Sequence, residues 1–139
     1  MNESTASSSA YLLFFRDASP DVYAGMSAEQ RQHLMQRWNA WYDGLAAKGK
    51  VQHGQPLEPS GRVVSGPRGD RVVDGPFAES KEAIGGYFLL TVDSLDEATE
   101  IARGCPSLAH GMTVEVRPIA GACGALGVHG RPPAAQAVG

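Results

Sequence analysis

The sequence predicts an α+β fold of the ferredoxin-like, split βαβ type, in which an antiparallel sheet carries two helices. Three observations predict it. Strand-like and helix-like segments follow one another in the order β-α-β, a small hairpin, and β-α-β. Each helix-like segment begins with a serine that is followed three residues later by Gln or Glu, the pattern of a capping box. A chain of 139 residues also suits one domain with a single core.

The first half of the chain supplies a strand, a long helix and a second strand. Residues 11–15 are all apolar and rich in aromatic side chains, which is typical of a strand covered on both faces. Ser27 and Gln30 form the first predicted capping box, and the helix is expected to continue to about Ala47. Residues 51–57 follow as a second strand. The helix carries a narrow apolar stripe that must pack on a sheet, formed by Leu34, Trp38, Trp41 and Leu45.

The second half begins with a hairpin and ends with a strand, a helix and a strand. Two short apolar runs flank residues 66–70, where Gly, Pro and Asp provide turn chemistry. Residues 86–92 predict a strong strand. Ser94 and Glu97 form a second predicted capping box, for a helix that reaches about Arg103. The last predicted strand covers residues 112–117, where apolar and polar side chains alternate.

The two ends of the chain are predicted to lie outside the domain. Residues 1–9 have neither the basic nor the apolar region of a secretory signal, and we expect a disordered leader there. Residues 10–119 form the predicted domain. From residue 120 to 139 the chain is rich in Gly, Ala and Pro with few large apolar groups, which predicts a flexible tail.

Composition excludes several classes of function. The net charge of −3 and the scattered basic residues argue against nucleic-acid binding, which needs clustered Lys and Arg. No apolar run approaches the roughly 20 residues that span a bilayer, so we expect no membrane partner. We expect Cys105 and Cys123 to be thiols in a cytoplasmic protein. The four histidines form no metal-ligand ladder, so no metal and no cofactor is expected.

The two central strands predict a homodimer joined through its sheet faces. Residues 11–15 and 87–92 are apolar on both faces, whereas two helices can cover only one side of a sheet. A second copy of the sheet is the simplest cover, with a buried area of about 1,000 Å² or more. The alternative is that the hairpin and the tail cover that face within a monomer. Glu115 and Arg117 on the last strand are expected to form an ion pair at the dimer edge.

The most informative segment is the acidic loop between the hairpin and the strong strand. Residues 73–82 read Val-Asp-Gly-Pro-Phe-Ala-Glu-Ser-Lys-Glu, and Gly-Gly-Tyr follows at 85–87. Together with the closing Glu-Val-Arg-Pro at 115–118, this string resembles the DGPF branch of the YCII-related proteins. The resemblance covers nearly the whole predicted domain. It implies a dimeric α/β barrel, in which ferredoxin-like protomers join through their sheets.

The resemblance also implies a class of function. The YCII-related group has a proposed His/Asp site, and one relative is a dehydrochlorinase acting on a chlorinated hydroxyquinol. This implies a cofactor-independent acid/base enzyme that performs an elimination or isomerisation on a small cyclic oxygenated metabolite. The alternative is a non-catalytic, dimeric protein that binds a small molecule or regulates a partner.

Five residues are candidates for the site. His33 matches the helix histidine of the group and would act as general acid/base, while Asp74 matches its acid and would orient His33 or take a second proton. Glu79 and Lys81 on the loop would line the pocket. His53, on a strand that could face the dimer cleft, is a second candidate for substrate binding.

Four of these candidates have a structural alternative. His33 can be a solvated histidine between Glu29 and Arg37, one turn away on either side. Asp74 can fix a turn by accepting from backbone N–H groups. Glu79 can pair with Lys81 or with Arg71, and Lys81 can simply be solvated.

Overall fold

The structure is a computed structural model, and it describes residues 9–17, 21–75, 83–120, 122–123 and 128–129. Its strands, in chain order, are β1 (Ser9–Asp17), β2 (Val51–Pro56), β3 (Gly61–Ser65), β4 (Arg71–Gly75), β5 (Ala83–Val92), β6 (Thr113–Pro118), β7 (Ala122–Cys123) and β8 (Val128–His129). Its helices are α1 (Asp21–Ala24), α2 (Ala28–Ala47), α3 (Leu95–Ala102) and a 3₁₀ helix (Pro106–His110).

Four strands form the main sheet, in the order β2-β5-β1-β6, and every neighbouring pair is antiparallel. Strand β5 lies between β1 and β2, which are joined by α2, and this is the split βαβ arrangement. The predicted α+β fold class and its antiparallel sheet are therefore confirmed. Within the described residues this sheet is open and does not close into a barrel.

Local signals at Ser27 define the start of α2. The Gln30 N–H donates to Ser27 Oγ at 3.0 Å, and the Ser27 N–H donates to Gln30 Oε1 at 2.8 Å. This reciprocal capping box is the predicted one. The helix ends before Lys48, and the left-handed φ of +72° at Gly49 turns the chain toward β2.

The capping box predicted at Ser94 is only half formed. Ser94 Oγ accepts from the Glu97 N–H at 3.0 Å, as expected. The Glu97 carboxylate, however, accepts from the Asp93 N–H at 3.1 Å and from the Lys50 ammonium, not from the Ser94 N–H. The Lys50 ammonium, directly before β2, competes for this carboxylate. The capping-box pattern in the sequence covers only Ser94 and Glu97, so it cannot show that competition.

The core lies between the helices and one face of the sheet. Alternate side chains of β1 and β5 point to this face, so Leu13 and Leu90 are fully buried. The members of the core cluster are Tyr11, Leu13, Phe15, Leu45, Val51, Phe88, Leu90, Val92, Ala98, Ala102, Cys105 and Met112. The Cys105 thiol donates to Met112 Sδ at 3.6 Å, while the side chain of Cys123 is outside the described part of the chain.

The opposite face of the sheet carries the other set of alternating side chains. We define the outer sheet face by Leu12, Phe14, Tyr87 and Leu89, all half-buried in the single chain. Leu12 lies directly opposite Leu89, and Phe14 opposite Tyr87. The central strands therefore present apolar side chains on both faces, as the sequence predicts.

The predicted hairpin forms a small sheet of its own. β3 and β4 pair with each other around a turn in which Gly66 and Gly69 have positive φ. They are not hydrogen-bonded into the main sheet. Near the C-terminus, β7 pairs with β8, and the remaining tail residues lie outside the described ranges, so the predicted domain boundaries stay predictions.

No helix in the described residues combines the length and the apolar character that crossing a bilayer requires. The same residues contain no group of three or more His, Cys, Asp or Glu side chains that could hold a metal ion.

Candidate functional site

A cavity of about 700 Å³ lies between α2 and the sheet, a volume within the usual range for small-molecule sites. Its walls come from β1, β2, β5, the segment from α1 to α2, and the 3₁₀ helix. The described lining residues are Phe15, Tyr23, Arg31, Leu34, Met35, Trp38, Asn39, Tyr42, Gly54, Gln55, Pro56, Gly85, Gly86, Phe88, Ser107 and Met112.

Aromatic rings form the main wall of the cavity. Phe15 packs edge-to-face on Trp38 and on Phe88, with ring centroids 4.9 Å apart in both pairs. Tyr42 packs on Phe88 in the same manner at 5.2 Å. Edge-to-face pairs hold one another in place, so this wall is rigid and suits a flat, cyclic ligand.

Glycines let the two neighbouring strands approach these rings. A Cβ atom on Gly54 would lie 2.5 Å from Phe88 Cδ1, and one on Gly86 would lie 3.0 Å from the Gln55 carbonyl oxygen. Glycine within a strand commonly marks such a close approach. Larger residues at either position would fill space that belongs to the cavity wall.

Ser107 places a polar group in this otherwise apolar wall. Its side chain is 1% exposed, and its Oγ accepts from Trp38 Nε1 at 2.9 Å. Its own O–H finds no acceptor among the described residues. A buried donor without a partner is costly, so this hydroxyl is suited to donate to an oxygen atom of a bound molecule.

Arg31 contributes the one charge among the described lining residues. Its Nη1 donates to the carbonyl oxygen of Met26 at 2.7 Å and to that of Tyr23 at 3.2 Å. These bonds tie the guanidinium to the segment that precedes α2. The side chain itself is exposed, so it lies at the mouth of the cavity.

His33 faces a different space. It is exposed and lines a polar groove of about 970 Å³, together with Glu29, Arg37 and His110. Among the described residues, Leu34 is the one that lines both this groove and the cavity. His33 thus lies on the groove side of α2 and outside the described cavity lining.

The acid predicted to accompany His33 lies elsewhere. Asp74 is exposed on β4, opposite Arg62, and it lines neither the cavity nor the groove. No hydrogen bond joins His33 to Asp74. Glu79 and Lys81 lie outside the described residues, between the end of β4 and the start of β5.

His53 lies on the outer sheet face. Tyr87 Oη is 2.6 Å from His53 Nδ1, and the two rings are 5.5 Å apart. On the opposite edge strand, β6, the Glu115 carboxylate accepts from Arg16 Nη2 at 2.7 Å and from Arg117 Nη1 at 3.1 Å. The hydrogen bond from Arg16 and, to a smaller extent, the one from Arg117 hold the pKa of Glu115 below its usual range. The predicted Glu115–Arg117 pair is therefore present, and Arg16 joins it.

Sequence reasoning missed Arg31 and Ser107. Arg31, Met35, Trp38 and Tyr42 recur at i, i+4, i+7 and i+11, so a second helical stripe beside the predicted one carries a charge at its first position. That stripe could have indicated Arg31. Ser107 has no such signal, because it belongs to a single 3₁₀ turn after Pro106.

Comparisons with known proteins give a relative, a similar solved structure and a matching family model. An uncharacterised protein of Rhizobium meliloti (strain 1021) is 34% identical over 114 residues, which cover 78% of this chain and 90% of that protein. Among solved structures, the 5-chloro-2-hydroxyhydroquinone dehydrochlorinase TftG of Burkholderia phenoliruptrix AC1100, in complex with 2,5-dihydroxybenzoquinone, is similar to 80% of this chain. The match covers 93% of that chain at 17% identity, with a TM-score of 0.43. The model of the YCII-related domain matches residues 10–120, and this chain therefore belongs to the YCII-related domain family.

Proposed function

We propose that the cavity binds a small, cyclic, oxygenated metabolite, and that the protein is a cofactor-independent acid/base enzyme acting on it. The observation that carries the binding proposal is an aromatic-walled cavity with one buried hydroxyl donor, Ser107. The rings suit a flat molecule, and the donor suits an oxygen acceptor. Membership of the family is consistent with a small-molecule enzyme.

The proposed reaction is an elimination or an isomerisation. A base removes a proton from a carbon next to a carbonyl, and the electron pair then expels a leaving group or shifts a double bond while an acid returns a proton. His33 is our proposed acid/base and Asp74 its partner. Glu79 and Lys81 are proposed to contact the substrate, because their segment leads into Gly85 of the cavity wall. His53 is the second candidate for substrate contact.

The binding proposal is tested with a variant that fills the cavity. Met35 lines the cavity but is 63% exposed, so Met35→Trp adds bulk without disturbing the core. We expect wild-type protein to bind 1-naphthol in calorimetric titrations, and Met35→Trp to weaken that binding about tenfold or more, a loss of about 1.4 kcal/mol. Gln32→Trp adds the same ring to the neighbouring groove and should leave binding unchanged. Equal weakening by both variants, or no binding by wild type, contradicts the proposal.

The catalytic proposal is tested separately, on a ligand found by thermal-shift screening of cyclic ketones and hydroxylated aromatics. We expect wild-type protein to convert such a ligand, and His33→Gln to lower kcat about 100-fold or more without changing the melting temperature, because a general acid/base contributes about this much. Asp74→Asn should lower kcat in the same direction. Mass spectrometry of the incubated ligand measures both effects.

A second candidate function is binding without catalysis. It is favoured by the placement of His33 in the groove and of Asp74 on the hairpin, since the described cavity lining contains no carboxylate and no imidazole. A ligand that raises the melting temperature and is recovered unchanged would support this function over the enzyme.

We further propose that the protein acts as a homodimer through the outer sheet face. The apolar side chains of Leu12, Phe14 and Leu89 support this, because they form a continuous patch opposite the helices. With only two cysteines in the chain, we place this dimer in the cytoplasm.

A further inference from the structure

We propose that Arg31 anchors an anionic oxygen group of the ligand at the mouth of the cavity, so that the ligand class is a ring acid: a carboxylate or ionised hydroxyl on an apolar ring. This proposal rests on the ligand-binding function proposed for the same cavity. Its starting observation is that Arg31 carries the one charge among the described lining residues, with no carboxylate there to balance it.

The hydrogen bonds of Arg31 leave a specific edge of the guanidinium available. The group has five N–H donors, and the two donors of Nη1 point to the carbonyl oxygens of Tyr23 and Met26. The Nε and Nη2 donors have no partner among the described residues. These donors form the side edge that matches the two oxygens of a carboxylate. Nη1 thus holds the side chain in place, while the edge formed by Nε and Nη2 is available to bind a carboxylate.

A purely structural role does not account for this arrangement. Holding the segment before α2 requires only the hydrogen bonds of Nη1, and a neutral donor group could make the same bonds. The nearby apolar surface of Trp38 and Met35 makes a charge-assisted hydrogen bond stronger than it would be in bulk water. An anionic group at this place therefore gains more from Arg31 than a neutral amide or alcohol of the same size.

The positions of the polar groups orient the ligand. Arg31 is exposed at the mouth, whereas Ser107 is buried in the wall beside Trp38. A ring acid can therefore place its ring against the aromatic wall and keep its charge near solvent. This orientation avoids moving a charge into the apolar interior, which would be costly.

The test compares two ligands that differ in charge but hardly in shape, 1-naphthoate and 1-naphthamide, by calorimetric titration at pH 7.5. We expect wild-type protein to bind the carboxylate about tenfold more tightly than the amide, as expected for a bidentate, charge-assisted pair. Arg31→Gln should remove this preference and leave the affinity for the amide unchanged. Arg31→Lys, which keeps the charge but loses the planar edge, should restore part of it.

Arg37→Gln is the matched control, because Arg37 is an exposed arginine of the same helix that lines the other groove. It should keep the full preference for the carboxylate. Equal binding of the two ligands by wild type, a preference that survives Arg31→Gln, or a preference lost in Arg37→Gln overturns the anchor and leaves the cavity proposal standing. If wild type binds neither ligand nor 1-naphthol, the proposed function fails together with the anchor.

Discussion

At the scale of single residues, the candidate site depends on polar groups whose partners are distant in the sequence. Ser107 is placed by Trp38, which is 69 positions away, and Arg31 by carbonyl groups of the preceding segment. The sequence singled out His33 because of its residue type and its helix. Residue type alone does not show which of two neighbouring spaces a helical side chain faces, and His33 faces the groove.

Glu97 offers a residue-scale test of the electrostatics. The hydrogen bond that the Glu97 carboxylate accepts from the Lys50 ammonium lowers the pKa of this carboxyl most, and the one that it accepts from the Asp93 N–H lowers it further. A carboxyl whose pKa is lower in the folded than in the unfolded chain stabilises the fold above its ordinary pKa of about 4.3, and this contribution is lost as the pH falls through the lowered value.

We therefore predict that Glu97→Gln lowers the melting temperature by about 1–3 °C at pH 7, the size expected for a partly exposed ion pair. The difference from wild type should shrink as the pH falls below the ordinary carboxyl pKa of about 4.3 and through the lowered value, because Glu97 of the wild type then loses its charge. Circular dichroism melts at pH 7 and at a series of acidic pH values measure it. Glu100→Gln is the control on the same helix, since Glu100 and Arg103 are well exposed and 3.7 Å apart, and it should change little. A gap that persists in acid would contradict the prediction.

At the scale of elements, the regular structure could be predicted because its signals are local. The capping box at Ser27, the stripe of α2 and the Gly-rich turn of the hairpin each define an element within a few neighbouring residues. Both central strands are longer than predicted, because β1 and β5 extend each other by pairing as far as Asp17 and Ala83. Pairing between distant segments has no signal in a short window of sequence.

The cavity could not be predicted for the same reason. It exists because α2 lies over two strands that carry Gly54 and Gly86, and because a 3₁₀ turn places Ser107 beside the helix. The predicted second helix reaches about Arg103 and no further helix is predicted after it, whereas Pro106 begins a 3₁₀ helix. A single turn without a repeating apolar pattern gives no periodicity to detect.

At the scale of the whole molecule, the two faces of the sheet have different roles. One face packs on α2 and α3 and forms the cavity, while the outer sheet face presents Leu12, Phe14 and Leu89 beside the Arg16–Glu115 ion pair. An apolar centre with a charged rim is typical of a protein–protein interface. The hairpin pairs with itself, so it does not add a strand to this sheet.

The homodimer is tested by making the centre of the outer sheet face polar. Leu12 and Leu89 face each other across β1 and β5, and we predict that Leu12→Thr combined with Leu89→Thr gives a monomer in sedimentation velocity where wild type is a dimer. Threonine is a good strand former, so the sheet should persist while the apolar area that drives association is reduced. Val64→Thr makes the same kind of change at an exposed strand position of the hairpin and should remain dimeric. The proposal fails if wild type sediments as a monomer at 100 µM, or if the double variant keeps the dimer while a thermal melt shows it folded.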